Sequence, residues 1–117
     1  QGKEMLCVAL TGDGSRVVSC SVDGAVRIWD AESAEQLHKC TGHTDWVWGL
    51  AVTLDGSLAA SCSRDFTARV WDIREGREVR SIEHKGEVMC VALNQSGSLL
   101  VTGQGKLIYL WDVETGA

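Results

Sequence analysis

The sequence contains no segment with the i, i+3, i+4, i+7 apolar spacing of an amphipathic helix, so its regular structure is expected to be strand. It has no run of lysine or arginine and carries a net charge of −5, which removes the electrostatic footprint for nonspecific attraction to nucleic acid or anionic lipid. No apolar run approaches the roughly 18 residues that a membrane-spanning helix needs. The opening residues, QGKEMLCVALTGDG, lack the charged lead and sustained apolar core of a secretory signal. They also lack an initiator methionine, as a piece of a longer chain would. Histidines His38, His43 and His84 and the scattered cysteines show no metal-ligand spacing. Gly12-Asp13-Gly14 belongs to a tight turn and does not precede a helix, so it is not a phosphate loop. No cofactor and no metal are implied. What remains is a 117-residue chain, 44% apolar and 23% charged with both signs interspersed, as expected of one folded domain.

What is present is repetition. Trp-Asp closes three stretches, at Trp29-Asp30, Trp71-Asp72 and Trp111-Asp112, 42 and 40 residues apart. Ahead of each lies the same order of short apolar or small-residue runs separated by turns rich in Gly, Asp and Ser. The runs predict strands at 5–10, 16–21, 25–29 and 36–40 in the first unit, and at 47–52, 58–63, 67–71 and 78–82 in the second. In the third they fall at 88–93, 99–103 and 107–111, with no fourth run before Ala117. Successive strands joined by short turns make antiparallel meanders. Residues 40–72 contain one complete copy.

A period of 40 to 45 residues closed by Trp-Asp resembles the WD40-repeat family of β-propellers. The resemblance covers nearly the whole chain. It implies an all-β partial propeller of three four-stranded antiparallel blades, the third lacking its outer strand, with units at about 1–43, 44–84 and 85–117. The absence of proline is unusual for this family's first turn. The stretches VALTGDGSRVVSCSVDG and GHTDWVWGLAVTLDGS are also similar to repeats attached to NACHT-type signalling ATPases, where the propeller acts as sensor or restraint.

The family implies a structural hydrogen-bond network in each blade: a His before the inner strand, a hydroxyl on the second, an Asp in the next turn and the closing Trp. Unit two matches with His43, Ser61, Asp65 and Trp71. Unit one supplies Ser19, Asp23 and Trp29, with Gln1 at the His position. Unit three supplies His84, Thr102 and Trp111, but its second turn is one residue short and has no Asp. These groups suit one another, because an indole N–H only donates, a hydroxyl relays, and a carboxylate only accepts. Ser61, His43 and Asp65 also admit a competing hydrolase reading. Against it, the Ser lacks a Gly-x-Ser-x-Gly elbow and the trio partly recurs in other units.

The cysteines fall at repeated places, Cys20 and Cys62 in Ser-Cys-Ser, Cys7 and Cys90 in Cys-Val-Ala-Leu. Equivalent sites in different blades are too far apart to bridge. All five, Cys40 included, are therefore expected to be buried thiols in a reducing compartment, the cytoplasm or the nucleus. Family practice puts protein partners on the face carrying the His loops and Asp turns. Here that face would hold Thr44, Asp45, Trp46 and Trp48, Lys85 and Glu87, and Val22 and Arg64. Two apart on a strand, Trp46 and Trp48 would share a side unless a bulge intervenes. Arg27 and Arg69, two residues before Trp-Asp, are expected to brace Asp30 and Asp72 or a neighbouring blade. The expected function is a non-catalytic protein-interaction scaffold or sensor. Further blades of the same or another chain would close the ring, because each blade buries its faces only against neighbours. A purely structural ring-forming oligomer is the remaining alternative.

Overall fold

The computed structural model describes residues 5–12, 14–53 and 55–116, and all regular structure among them is strand. β1 (Met5–Leu10), β2 (Arg16–Ser21), β3 (Val26–Asp30) and β4 (Gln36–Cys40) form the first sheet in that order. β5 (Val47–Val52), β6 (Leu58–Ser63), β7 (Thr67–Asp72) and β8 (Arg77–Glu83) form the second. β9 (Cys90–Leu93), β10 (Leu99–Gln104) and β11 (Leu107–Asp112) form a third sheet of three strands. Each pairing is antiparallel. Among the described residues no helix is long and apolar enough to cross a membrane.

Local chemistry sets the turns. Thr53 accepts the backbone N–H of Ser57 and Leu58 through its hydroxyl, which closes the β5–β6 turn around Gly56, at φ 76°. Asn94 serves the third sheet in the same way, accepting the N–H of Leu99 at 3.0 Å, with Gly97 also at φ 76°. A β-carbon would be strained at either glycine.

Two apolar layers hold the sheets face to face, with β1 beside β5 and β5 beside β9. Val18, Cys20, Val26 and Ile28 meet Val47, Ala59, Trp71 and Ile73 between the first two sheets. Ala60, Cys62, Ala68, Val70 and Ile82 meet Val88, Leu100 and Val113 between the second and third. The middle sheet is thus covered on both sides. The outward faces of the other two carry exposed Val8 and Leu10 in the first sheet, and Ile108 and Leu110 in the third.

The register slips between Met5 and Cys7 and between Val47 and Gly49. The second slip is a bulge at Trp48, so Trp46 and Trp48 do not share a side. Just past the slip, Cys7 faces Cys20, Gly49 faces Cys62, and in the third sheet Cys90 faces Gly103. Cys7 and Cys20 are joined in a disulfide. This corrects the expectation of five free thiols, which compared equivalent cysteines of different units and overlooked two facing each other within one. The argument from free thiols to a reducing compartment falls with it for that pair. Cys40 and Cys62 are free and buried, and burial pushes their thiols up to about 11 and about 12. Cys90 is free but exposed, against expectation, because it lies on β9, where burial alternates between half-buried and exposed residues. The site holds one sulfur or a bonded pair. A β-carbon on Gly49 would stand 2.3 Å from the Cys62 sulfur, and one on Gly103 2.6 Å from that of Cys90.

Candidate functional site: the hydrogen-bonded face

The middle sheet carries a relay with a single proton order. The Trp71 indole N–H donates to Ser61 Oγ at 2.8 Å, and that hydroxyl donates to His43 Nε2 at 2.7 Å. The imidazole proton therefore sits on Nδ1 and donates to Asp65 Oδ2 at 2.9 Å. The same carboxylate oxygen accepts the Thr44 backbone N–H at 3.0 Å, while Oδ1 takes the N–H and hydroxyl of Thr67. Burial would push the Asp65 carboxyl up. Hydrogen bonds from Thr67, His43 and the Thr44 backbone outweigh it and hold the group at about 2. Burial lowers His43 below its ordinary value despite Asp65, so the ring is neutral and can accept from Ser61. Every polar atom of the relay has a partner. That is what lets Ser61, with 0% of its surface exposed, lie in a packed core.

The outer sheets carry partial versions. In the first, Trp29 donates to Ser19 at 2.9 Å, but Asp23 binds no histidine. It accepts from Ser21, from Ala25 N–H, and from Arg27 at 2.8 Å, and the guanidinium holds its carboxyl well below the usual range. The Gln1 position lies outside the described residues. In the third, Trp111 donates to Thr102 at 2.9 Å and Thr102 to His84 Nε2 at 2.8 Å. His84 Nδ1 is buried there with no hydrogen-bond partner. Arg27 and Arg69 were expected to brace Asp30 and Asp72 or a neighbouring blade; instead Arg27 binds the Asp23 carboxylate in the turn of its own sheet and Arg69 binds Glu78 on β8 of its own sheet at 2.6 Å.

The loops of this end abut one another. A β-carbon on Gly24 would meet the His43 and Asp45 carbonyls, Arg64 N–H donates to the Trp46 carbonyl, and Val88 N–H to that of Ser63. Around them Trp46, Arg64 and Lys85 are exposed, while Val22, Asp45 and Glu87 are half-buried. The Arg64 guanidinium carbon lies 5.0 Å over the Trp46 ring, an attractive arrangement that orders both. Trp48 is elsewhere. It packs against the second apolar layer and its indole donates to the Val88 carbonyl at 2.8 Å, tying the second sheet to the third. Sequence reasoning missed Phe66, an exposed aromatic at φ 74°. It follows Asp65 as Gly24 follows Asp23, and that substitution in a turn demanding positive φ was the available signal.

The family described as "WD domain, G-beta repeat" matches residues 2–30, 34–72 and 76–112. The U3 small nucleolar RNA-associated protein 15 homolog of Xenopus tropicalis is 34% identical over 110 residues, 93% of this chain and 21% of that protein. Human U3 small nucleolar RNA-interacting protein 2 is 40% identical over 47 residues, 40% of this chain and 10% of that protein. A probable serine/threonine-protein kinase, PkwA, of Thermomonospora curvata is 40% identical over 45 residues, 38% of this chain and 6% of that protein. The chain spans about a fifth of the relative that it matches over most of its own length. Three matches, each ending on the third strand of a sheet in a tryptophan held by a hydroxyl, make this chain a member of the WD40-repeat family and a protein-interaction scaffold module.

Proposed function

We propose that the chain serves as a non-catalytic docking module that meets protein partners through the loop face formed by Val22, Asp45, Trp46, Arg64, Lys85 and Glu87. The observation that carries this reading is the Trp46–Arg64 pair. A tryptophan left 41% exposed and stacked by a guanidinium is preordered, and Trp and Arg are enriched where binding energy concentrates. Phe66 extends the same surface, and Trp48 is not part of it. The hydrolase alternative has little support. The Ser61 hydroxyl accepts from Trp71 and donates to His43 in a position with no exposed surface, so no substrate carbonyl can approach it. Double replacement of Trp46 and Arg64 by alanine should empty the set of proteins that the protein captures. Recovery of the same proteins by both versions overturns the assignment of this face.

Of the cytoplasm and the nucleus, the two compartments expected from the cysteines, the names of the relatives favour the nucleus, within an assembly associated with small nucleolar RNA. The net charge of −5 favours contact with that assembly's proteins. A fusion confined to the cytoplasm counts against this setting. Further blades, of the same or another chain, are proposed to cover the two outer faces. Ile108 and Leu110 of the third sheet are 72% and 62% exposed, whereas Ala68 and Val70, at equivalent places in the second, are at 0%. Because the two faces differ, association would run head to tail. Light scattering should report mass above one chain, and a monodisperse monomer with a cooperative melt would falsify it.

A further inference from the structure

The third sheet keeps two donors that the second sheet uses to hold a carboxylate. In the second, Asp65 Oδ2 accepts from both His43 Nδ1 and the Thr44 backbone N–H. The equivalent donors are His84 Nδ1 and the Lys85 backbone N–H. Since Trp111 donates to Thr102 and Thr102 to His84 Nε2, the His84 proton must sit on Nδ1, where no hydrogen bond of good geometry forms, although the Ile82 and Phe66 carbonyls lie near enough to favour the proton on the ring. Lys85 N–H reaches only the Gln104 side-chain oxygen, at a long 3.3 Å. Leu107 stands where Thr67 supplies a second oxygen to the ring of His43. Beside these groups opens a cleft of about 460 Å³ whose lining includes Glu83, His84, Lys85, Gln104, Leu107 and Tyr109.

We propose that this cleft is a carboxylate-binding site, in which an incoming acidic group displaces the Gln104 amide and accepts from His84 Nδ1–H and Lys85 N–H together. A buried donor without an acceptor is costly, so an occupant that supplies one gains more than a surface contact would. Lys85 contributes the only cation of the lining, and Glu83 the one opposing charge. Leu107 and Tyr109 give the occupant apolar walls. The cleft shares Lys85 with the proposed docking face but neither Trp46 nor Arg64, so failure of the Trp46–Arg64 test leaves it standing.

The test is a titration followed by ¹⁵N NMR at His84 Nδ1 and the Lys85 amide. Its probes are acetate, a short capped peptide with one aspartate, and their amide counterparts acetamide and the asparagine peptide. Both carboxylates should move the two signals while the amides leave them still. Peptide tighter than acetate identifies a protein side chain as the source, and the reverse order a free small carboxylate. Gln104→Ala, which removes the plug, should tighten binding severalfold without disturbing the Trp111–Thr102–His84 chain. Equal response to acid and amide, movement of His38 in parallel with His84, or unchanged affinity in Gln104→Ala overturns the proposal. So does a silent titration, which would mean that water alone satisfies Nδ1.

Discussion

The second and third sheets share a plan and differ in how completely it is carried out. In the second, Trp71 is 1% exposed, covered on both faces, and its indole begins a relay ending on a carboxylate with four donors. In the third, Trp111 is only half-buried, its sheet is covered on one face, and its relay stops at an unpaired imidazole nitrogen. The difference teaches that the tryptophan–hydroxyl bond survives alone. Both outer sheets keep it at 2.9 Å although neither has the His–Asp half. The His–Asp half belongs to the loop end of the sheet, where it ties the lead-in of one strand to the turn after another.

The contrast can be broken most severely at the tryptophans. Trp71→Ala empties a fully packed position and should cost about 3–5 kcal/mol, against roughly half that for Trp111→Ala, read from urea midpoints. Equal costs would mean that the third sheet is as well supported as the second. Next, Asp65→Ala leaves the Thr44 and Thr67 backbone N–H groups unsatisfied and His43 Nδ1 with only the Thr67 hydroxyl, and should cost about 1–3 kcal/mol. Gln104→Ala should cost a few tenths at most, since it removes a single long bond from an exposed backbone N–H.

Acid should separate the sheets by pH window. Burial depresses both His43 and His84, so their neutral forms stabilise the fold above the ordinary value of 6.5, and that contribution is lost as pH falls through it. Asp65 is depressed from 3.8 to about 2, so its contribution is complete above 3.8 and disappears between there and about 2. Asp23 of the first sheet adds to this lower step. The third sheet contributes only to the upper one. Melting temperature against pH should show two descents, and Asp65→Asn should shrink the lower while leaving the His84 part of the upper. A gain in place of a loss is expected at Phe66→Gly. Relief of a positive φ is partly offset by the freedom that glycine adds to the unfolded chain, for a net gain of up to about 1 kcal/mol. A loss in thermal melting would show that the ring packs usefully where it stands.

Most of the strand plan could be read from the sequence because it is written three times. The Trp-Asp ends and the paired hydroxyls at Ser19, Ser61 and Thr102 fix corresponding strands, whose observed limits differ from the expected ones by two residues or fewer. What resisted reading depends on one side chain's neighbours across a strand. The Cys7–Cys20 bond requires the register past a bulge, and the corresponding bulge of the second sheet sends Trp48 between the sheets. The partners of Arg27 and Arg69 depend on which way alternation aims them. Gln104 is identifiable as the group on Lys85 N–H only once the shortened turn has been traced in space.

The Cys7–Cys20 bond alters how the first sheet would bear load. Tension applied along the chain would pass from one sulfur to the other, leaving residues 8–19 slack inside a covalent loop. Those residues, and the β1–β2 pairing they contain, would be shielded from pulling until a reductant cut the bond. The cut would then release roughly 40 Å of stored contour.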